Sequence, residues 1–345
     1  FRTIQYAFDN ACDGDVIILA RGVHFGGADA KGKALTVRSD YTGTVPTAAD
    51  IAETVVEGGI PGVPVLQIGT GAGGGYTARK EVIGLTVRKG STSGLSFAGS
   101  GRVAYVVAED NLTSGIEASG ANVEVADCVM RRNGSGLGEA GGSITVLRSQ
   151  AYDNVGAGFS FHLGDDFVID SVSARNGEGV RYNSRSSWLV NSTVVGNSGS
   201  AVTIIRSVPT ETPVTVWNSV LWANGSSINL GPTDVSVVLD YNCIQGGLAG
   251  IIRPYDRLII YGSNNVTVDP KFVSAATGDY RLADNSPAIG AGGPLPVGVT
   301  GVRAAQPAGS ALDMGALENA RAYPLTTAFA VFGVVAHNAC AGASN

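Results

Sequence analysis

FVIDSVSARNGEGVRYNSRSSWLVNSTVVGNSGSAVTI, residues 167–204, decides the fold. Its second half, from Trp188, repeats the pattern of its first half, from Phe167, after 21 residues. Each half holds an apolar run, a polar residue followed by serine, a second apolar run, an asparagine before Gly or Ser, and a third short run. These runs are too short and too β-branched for helical repeats, and suit three brief strands separated by turns. One such unit cannot bury its own apolar face, so the copies must stack.

Equivalent runs start at Val103, Val123, Ile144, Phe167, Trp188, Val214 and Val235, and the asparagine recurs at Asn111, Asn133, Asn154, Asn176, Asn197 and Asn224. The repeat predicts an all-β protein, a right-handed parallel β-helix with three short strands per coil and rungs about 4.8 Å apart. Residues 32–267 read as coils and 319–345 as an apolar extension.

Composition agrees. There are 49 glycines, and charged residues make up 15% of the chain, against roughly 25% in ordinary domains. The net charge is −6, and the only lysines are Lys31, Lys33, Lys80, Lys89 and Lys271. That balance argues against nucleic acid, which requires basic stripes. No apolar run is long enough for a membrane-spanning helix. The chain opens at Phe1 without a leader, so any export signal is expected to be removed or to lie upstream.

FRTIQYAFDNACDGDVIILARGVHFG (1–26) resembles the N-terminal cap of secreted right-handed β-helix proteins, and GKALTVRSD (32–40), TVVEGG (54–59) and VIGLTVRKG (82–90) resemble their first rungs. VDPKFVSAATGDYRLADNSPAIGAG (268–292) with DMGALE (313–318) resembles the terminal module of bacterial choice-of-anchor surface proteins. The resemblance implies that 1–31 form an N-terminal cap, with a short helix, and the first strand, and that 268–318 form a C-terminal coil or cap module. It also implies a secreted or cell-surface protein of bacterial type and a pectate-lyase-like solenoid. It does not imply an activity, because the group includes both enzymes and members without known chemistry.

Alternation along strands assigns faces. On the first strand of each coil it points Val123, Ile144, Phe167, Trp188 and Val214 inward, leaving Val168 and Leu189 as an outward apolar stripe. At the next corner Cys128, Ser149, Ser171, Ser192, Ser219 and Cys243 read as an inward ladder, with Asp127, Arg148 and Asp170 as a solvated ion-pair row beside it. Cys128 and Cys243 then stand five rungs apart, roughly 24 Å, too far for a disulfide. Cys12 and Cys340 lie at opposite ends, as packing thiols or as partners between subunits. The Asn-x-Ser/Thr sites at Asn111, Asn133, Asn191, Asn224 and Asn265 are accounted for by turns and ladders.

On the third strand the outward residues read Glu117, Gly138, Ser160, Arg181, Thr203 and Asn229, beside a second row of Ser119, His162, Asn183 and Ile205. His162 and Arg181 are the candidate catalytic residues; Arg181, Asn183 and Arg185 are the candidate substrate-binding residues. Asp165 and Asp166, placed in a turn after Gly164, could hold Ca2+, since hard cations favour carboxylate oxygens. Polysaccharide lyases of this architecture generally use calcium with a Lys or Arg base. The central rungs have no lysine, and no second carboxylate faces His162 in the way glycosidases require.

Three readings follow. The first is an extracellular structural or adhesive protein that self-associates as a surface layer or filament, through its open ends and the AFAVFGVVA segment (328–336). The second is a calcium-dependent polysaccharide lyase. The third is a β-helix that binds an acidic glycan without cleaving it.

Overall fold

The computed structural model describes residues 3–69, 79–206, 212–232, 236–253, 258–300, 302 and 310–319. Short strands stack in parallel into a solenoid of about 10 turns with three faces. Among the described residues the second face is a separate sheet of 10 strands, whereas the first and third are linked in one sheet of 19. They merge because two strands, Ser114–Ala126 and Ser135–Leu147, run unbroken round the corner between them. Backbones nearly touch there: a Cβ on Gly164 would fall 1.6 Å from the Gly142 carbonyl oxygen, and one on Gly142 2.0 Å from that of Gly120. Only glycine permits that approach.

The core is continuous along the axis. Val103, Val125, Val146, Val168, Leu189, Val216 and Leu239 form one inward column, register partner on register partner, none more than 1% exposed. The helix Ile4–Asn10 closes its lower end, with Ile4 and Phe8 in the core and the Thr3 side chain accepting from the Tyr6 N–H. A second helix, Ala48–Glu53, has no counterpart in the sequence reading. Thr47 and Asp50 form its capping box, and its Ile51 covers Ile83, Ala104 and Tyr105 on the outside of the first face.

Two ladders hold the turns. Each asparagine amide from Asn111 to Asn197 donates to the next asparagine's Oδ1 at 2.8–3.1 Å. Every rung thus fixes its neighbour through a buried, satisfied group. At the other corner the hydroxyls of Ser149, Ser171, Ser192 and Ser219 each accept from the backbone N–H of the preceding rung. Asn242 continues this ladder, accepting from Ser219 N at 2.9 Å. Cys243 instead opens the following strand beside Val220, which corrects its assignment to the ladder. The residue before each ladder member (Asp127, Arg148, Asp170, Asn191, Asn218, Tyr241) is left-handed, with φ from 46° to 56°. Asn and Asp tolerate that conformation best, which explains their recurrence.

Two further expectations change. Asp127 and Arg148 form a forked pair at 2.9–3.0 Å, but their side chains are only 2% and 17% exposed, so the row is buried rather than solvated. Cys128 and Cys243 are separate buried thiols, each pushed by burial up to about 12. Cys12 is exposed; Cys340 and AFAVFGVVA lie outside the described residues.

The largest correction concerns the first face. Val168 and Leu189 are in the core, and Phe167 and Trp188 point outward, stacked at 6.2 Å. A slip of one residue inverts every side chain of a strand. The slip arises because Asp166 and Ser187 occupy the inward position held by Val214 in the next rung. The outward apolar residues are not bare. The described residues between 268 and 318 return along the flank: Val299 and Val302 pack on Phe167, Ile169, Trp188 and Trp217, and Tyr280 and Ala316 on Tyr152, Val172 and Val195 of the second face. Asn218 anchors the return, donating to Gly293 O at 3.1 Å and accepting from Gly293 N at 2.7 Å.

Among the described residues no helix is long and apolar enough to cross a membrane.

Candidate functional site

The third face is mostly polar from Gln67 to Asn229, beyond which the exposed Ile252 continues the row. Its register stacks Gln67, Ser96, Glu117, Gly138, Ser160, Arg181, Thr203 and Asn229 in one row, as alternation predicts, although Thr203 within it is only 2% exposed. His162 pairs with Asn183 in the adjacent row. These side chains are carried by the strands Ala157–His162, Glu178–Asn183 and Ser200–Ile204, whose inward residues Phe159, Phe161, Val180, Tyr182, Val202 and Ile204 are fully buried. The face therefore rests on a rigid core, including the Phe161–Tyr182 stack at 5.3 Å.

Arg181 donates from Nε and Nη2 to both oxygens of Glu178, each at 2.9 Å. Glu178 holds the guanidinium above its usual range, which suits a fixed cation and not a proton acceptor. About two-fifths of the Arg181 side chain stays exposed (44%), so its outer edge can take a second anion. His162 is exposed and Asn183 half-buried on the neighbouring row. Arg185 lies beyond the strand, at the corner, where its N–H donates to Gly164 O at 2.8 Å.

The structure thus brings His162, Arg181 and Asn183 together and leaves Arg185 at their border. It separates the two aspartates. Asp165 and Asp166 open the strand Asp165–Ile169 instead of lying in a turn, and successive residues of a strand face opposite ways. Asp165 is exposed, and Asp166 is fully buried inside the solenoid. They cannot grip one surface calcium ion, which corrects that expectation. Among the described residues no group of three His, Cys, Asp or Glu side chains is placed to hold a metal.

Two glutamates were missed. Glu178 lies three residues before Arg181, a spacing that alternation assigns to opposite faces. Glu139 aligns with the inward Ala118. It reaches back to accept the His162 backbone N–H through Oε2. Burial, then the charge of Asp166, pushes Glu139 up to about 8; burial pushes Asp166 up to about 7. The polar outer patch therefore has an acidic counterpart on the inner side of the same corner.

Comparison with known proteins comes down on the fold. A family described as "Right handed beta helix region" matches residues 73–216. The solved structure of pectate lyase Pel9A superposes with a TM-score of 0.60 at 16% identity, covering 92% of this chain and 90% of that one. The PL6 family polysaccharide lyase Pedsa3628 from Pseudopedobacter saltans gives 0.35 at 13% identity, covering 81% and 94%, a likeness too slight to support an argument. No curated protein sequence matches.

Proposed function

We propose that this chain is a β-helix that binds an acidic glycan along its third face, with Arg181 taking a uronate carboxylate and Ser160, His162 and Asn183 taking sugar hydroxyls. One observation carries this reading: the first and second faces are partly covered by the returning C-terminal module, while the third presents hydroxyl, amide and charged groups on a rigid support. Regularly spaced polar groups on a firm base suit a polymer of repeating sugars, because little ordering cost remains to be met on binding. Acting on such a polymer would place the protein outside the cell, secreted or at the surface.

Binding is favoured over cleavage because Arg181, paired with Glu178, is a poor base, and among the described residues no carboxylate pairs with the His162 ring. The likeness to pectate lyase Pel9A supports lyase action as a second reading, although a fold alone does not specify chemistry. The self-associating structural reading loses one of its supports, since the Val168–Leu189 stripe lies in the core.

The test is affinity electrophoresis of the wild type and Arg181→Ala on polygalacturonate and alginate, with ultraviolet absorbance followed with and without Ca2+. The proposal expects retardation by at least one polyuronate, weakened about tenfold by the substitution, and no absorbance. Absorbance that requires Ca2+ selects the lyase. No retardation by any uronate removes the proposal, and filaments in electron micrographs would then favour the structural reading.

A further inference from the structure

The interior behind His162 holds polar groups that the outer face does not use. Among the described residues, Glu139 Oε1, Asp166 Oδ2, Ser184 Oγ and Ser187 Oγ are buried without a hydrogen-bond partner. Asp166, Ser184 and Ser187 are 0%, 3% and 0% exposed. All four cluster at the third–first corner. Asp166 and Ser187 are register partners on adjacent rungs. The Ser184 hydroxyl and the Glu139 carboxyl both lie close enough to Asp166 to influence its ionisation or be influenced by it, though no well-formed hydrogen bond joins them.

Each carboxyl already accepts from the backbone, and the Gly141 N–H is a further donor to Glu139. His162 N–H donates to Glu139 Oε2, and Ile144 N–H donates to Asp166 Oδ1 at 3.0 Å. Backbone donors favour the ionised form and fix the orientation of the second oxygen. No ion pair among the described residues supplies a positive charge to either group. Two shielded carboxyl groups without a counter-charge are costly to ionise together, and the adjoining oxygens are all hard donors.

We infer that Glu139, Asp166, Ser184 and Ser187 form an internal site for one hard divalent cation, of the Ca2+ class, enclosed between rungs of the solenoid. Two carboxylates balance its charge, and the two hydroxyls add neutral oxygens of the kind Ca2+ accepts. By fixing Glu139, the ion also steadies the backbone beneath His162. The inference is independent of what the outer face binds.

Elemental analysis of the protein as isolated, after chelation, and after dialysis against Ca2+ or Mg2+ tests it, with thermal unfolding followed in parallel. The wild type should hold one divalent ion per chain. In metal at a hundred times Kd, its Tm should rise by about 4 °C over the chelated form. Glu139→Gln with Asp166→Asn should hold none and show no metal-dependent shift. That double variant removes buried charge without changing shape, so it should be at least as heat-stable as the chelated wild type. Three results would overturn the inference. They are no ion in the wild type under any condition, undiminished binding in the double variant, or a Tm that responds to pH near 7 but not to metal, which would indicate a shared proton.

Discussion

The flank of the solenoid and its third face are built from the same rungs, yet they behave as opposites. On the flank, outward Phe167, Trp188, Ile169 and Tyr152 need a cover, and Val299, Val302, Tyr280 and Ala316 supply it. On the third face, outward Ser160, Arg181 and Asn183 need none and remain available. Both have the same inward apolar columns, so stability comes from the inside of each strand. Function is set by the alternate residues, which packing leaves unconstrained.

That comparison can be broken at the core first. Leu189→Asp puts a charge in the inward column, and should cost about 4 kcal/mol or more, or prevent folding; urea unfolding measures it. A soluble, normally stable Leu189→Asp protein would restore the outward assignment. The flank comes next. Asn218→Ala removes both bonds to Gly293 and should cost about 2 kcal/mol, with faster proteolysis of residues 268–318. An unchanged midpoint would mean that the return is held by apolar contact alone. The smallest effect belongs to the third face: Arg181→Ala should alter stability by no more than about 0.5 kcal/mol while weakening glycan binding. A large stability loss there would make Arg181 a structural residue.

Much of this was legible in the sequence. The repeat, the recurring turn asparagines and the row from Glu117 to Asn229 follow from periodicity, and the register bears them out, except that Thr203 in that row is buried. That the asparagine amides bond from rung to rung was not read from the sequence. The first face was misread where the core departs from its own rule. Asp166 and Ser187 are polar at an inward position, so the next apolar residue, Phe167 or Trp188, was taken for the inward one. The parity error and the internal acidic cluster have the same cause. Cys243 slipped for a related reason, because Asn242 replaces serine in the ladder. The cover on the flank was not legible, since nothing local in Val299 or Tyr280 indicates contact with strands about a hundred residues earlier. Glu178 was hidden by alternation, its side chain reaching Arg181 from the edge of the strand.

Hydroxyl-radical footprinting with and without the polyuronate that binds tests most directly whether the third face is the working surface. The account predicts protection of the exposed His162, with Trp188 and Tyr280 on the flank unchanged. Protection confined to the flank, or to exposed side chains near the N-terminal cap such as Tyr6 and Phe25, would contradict it.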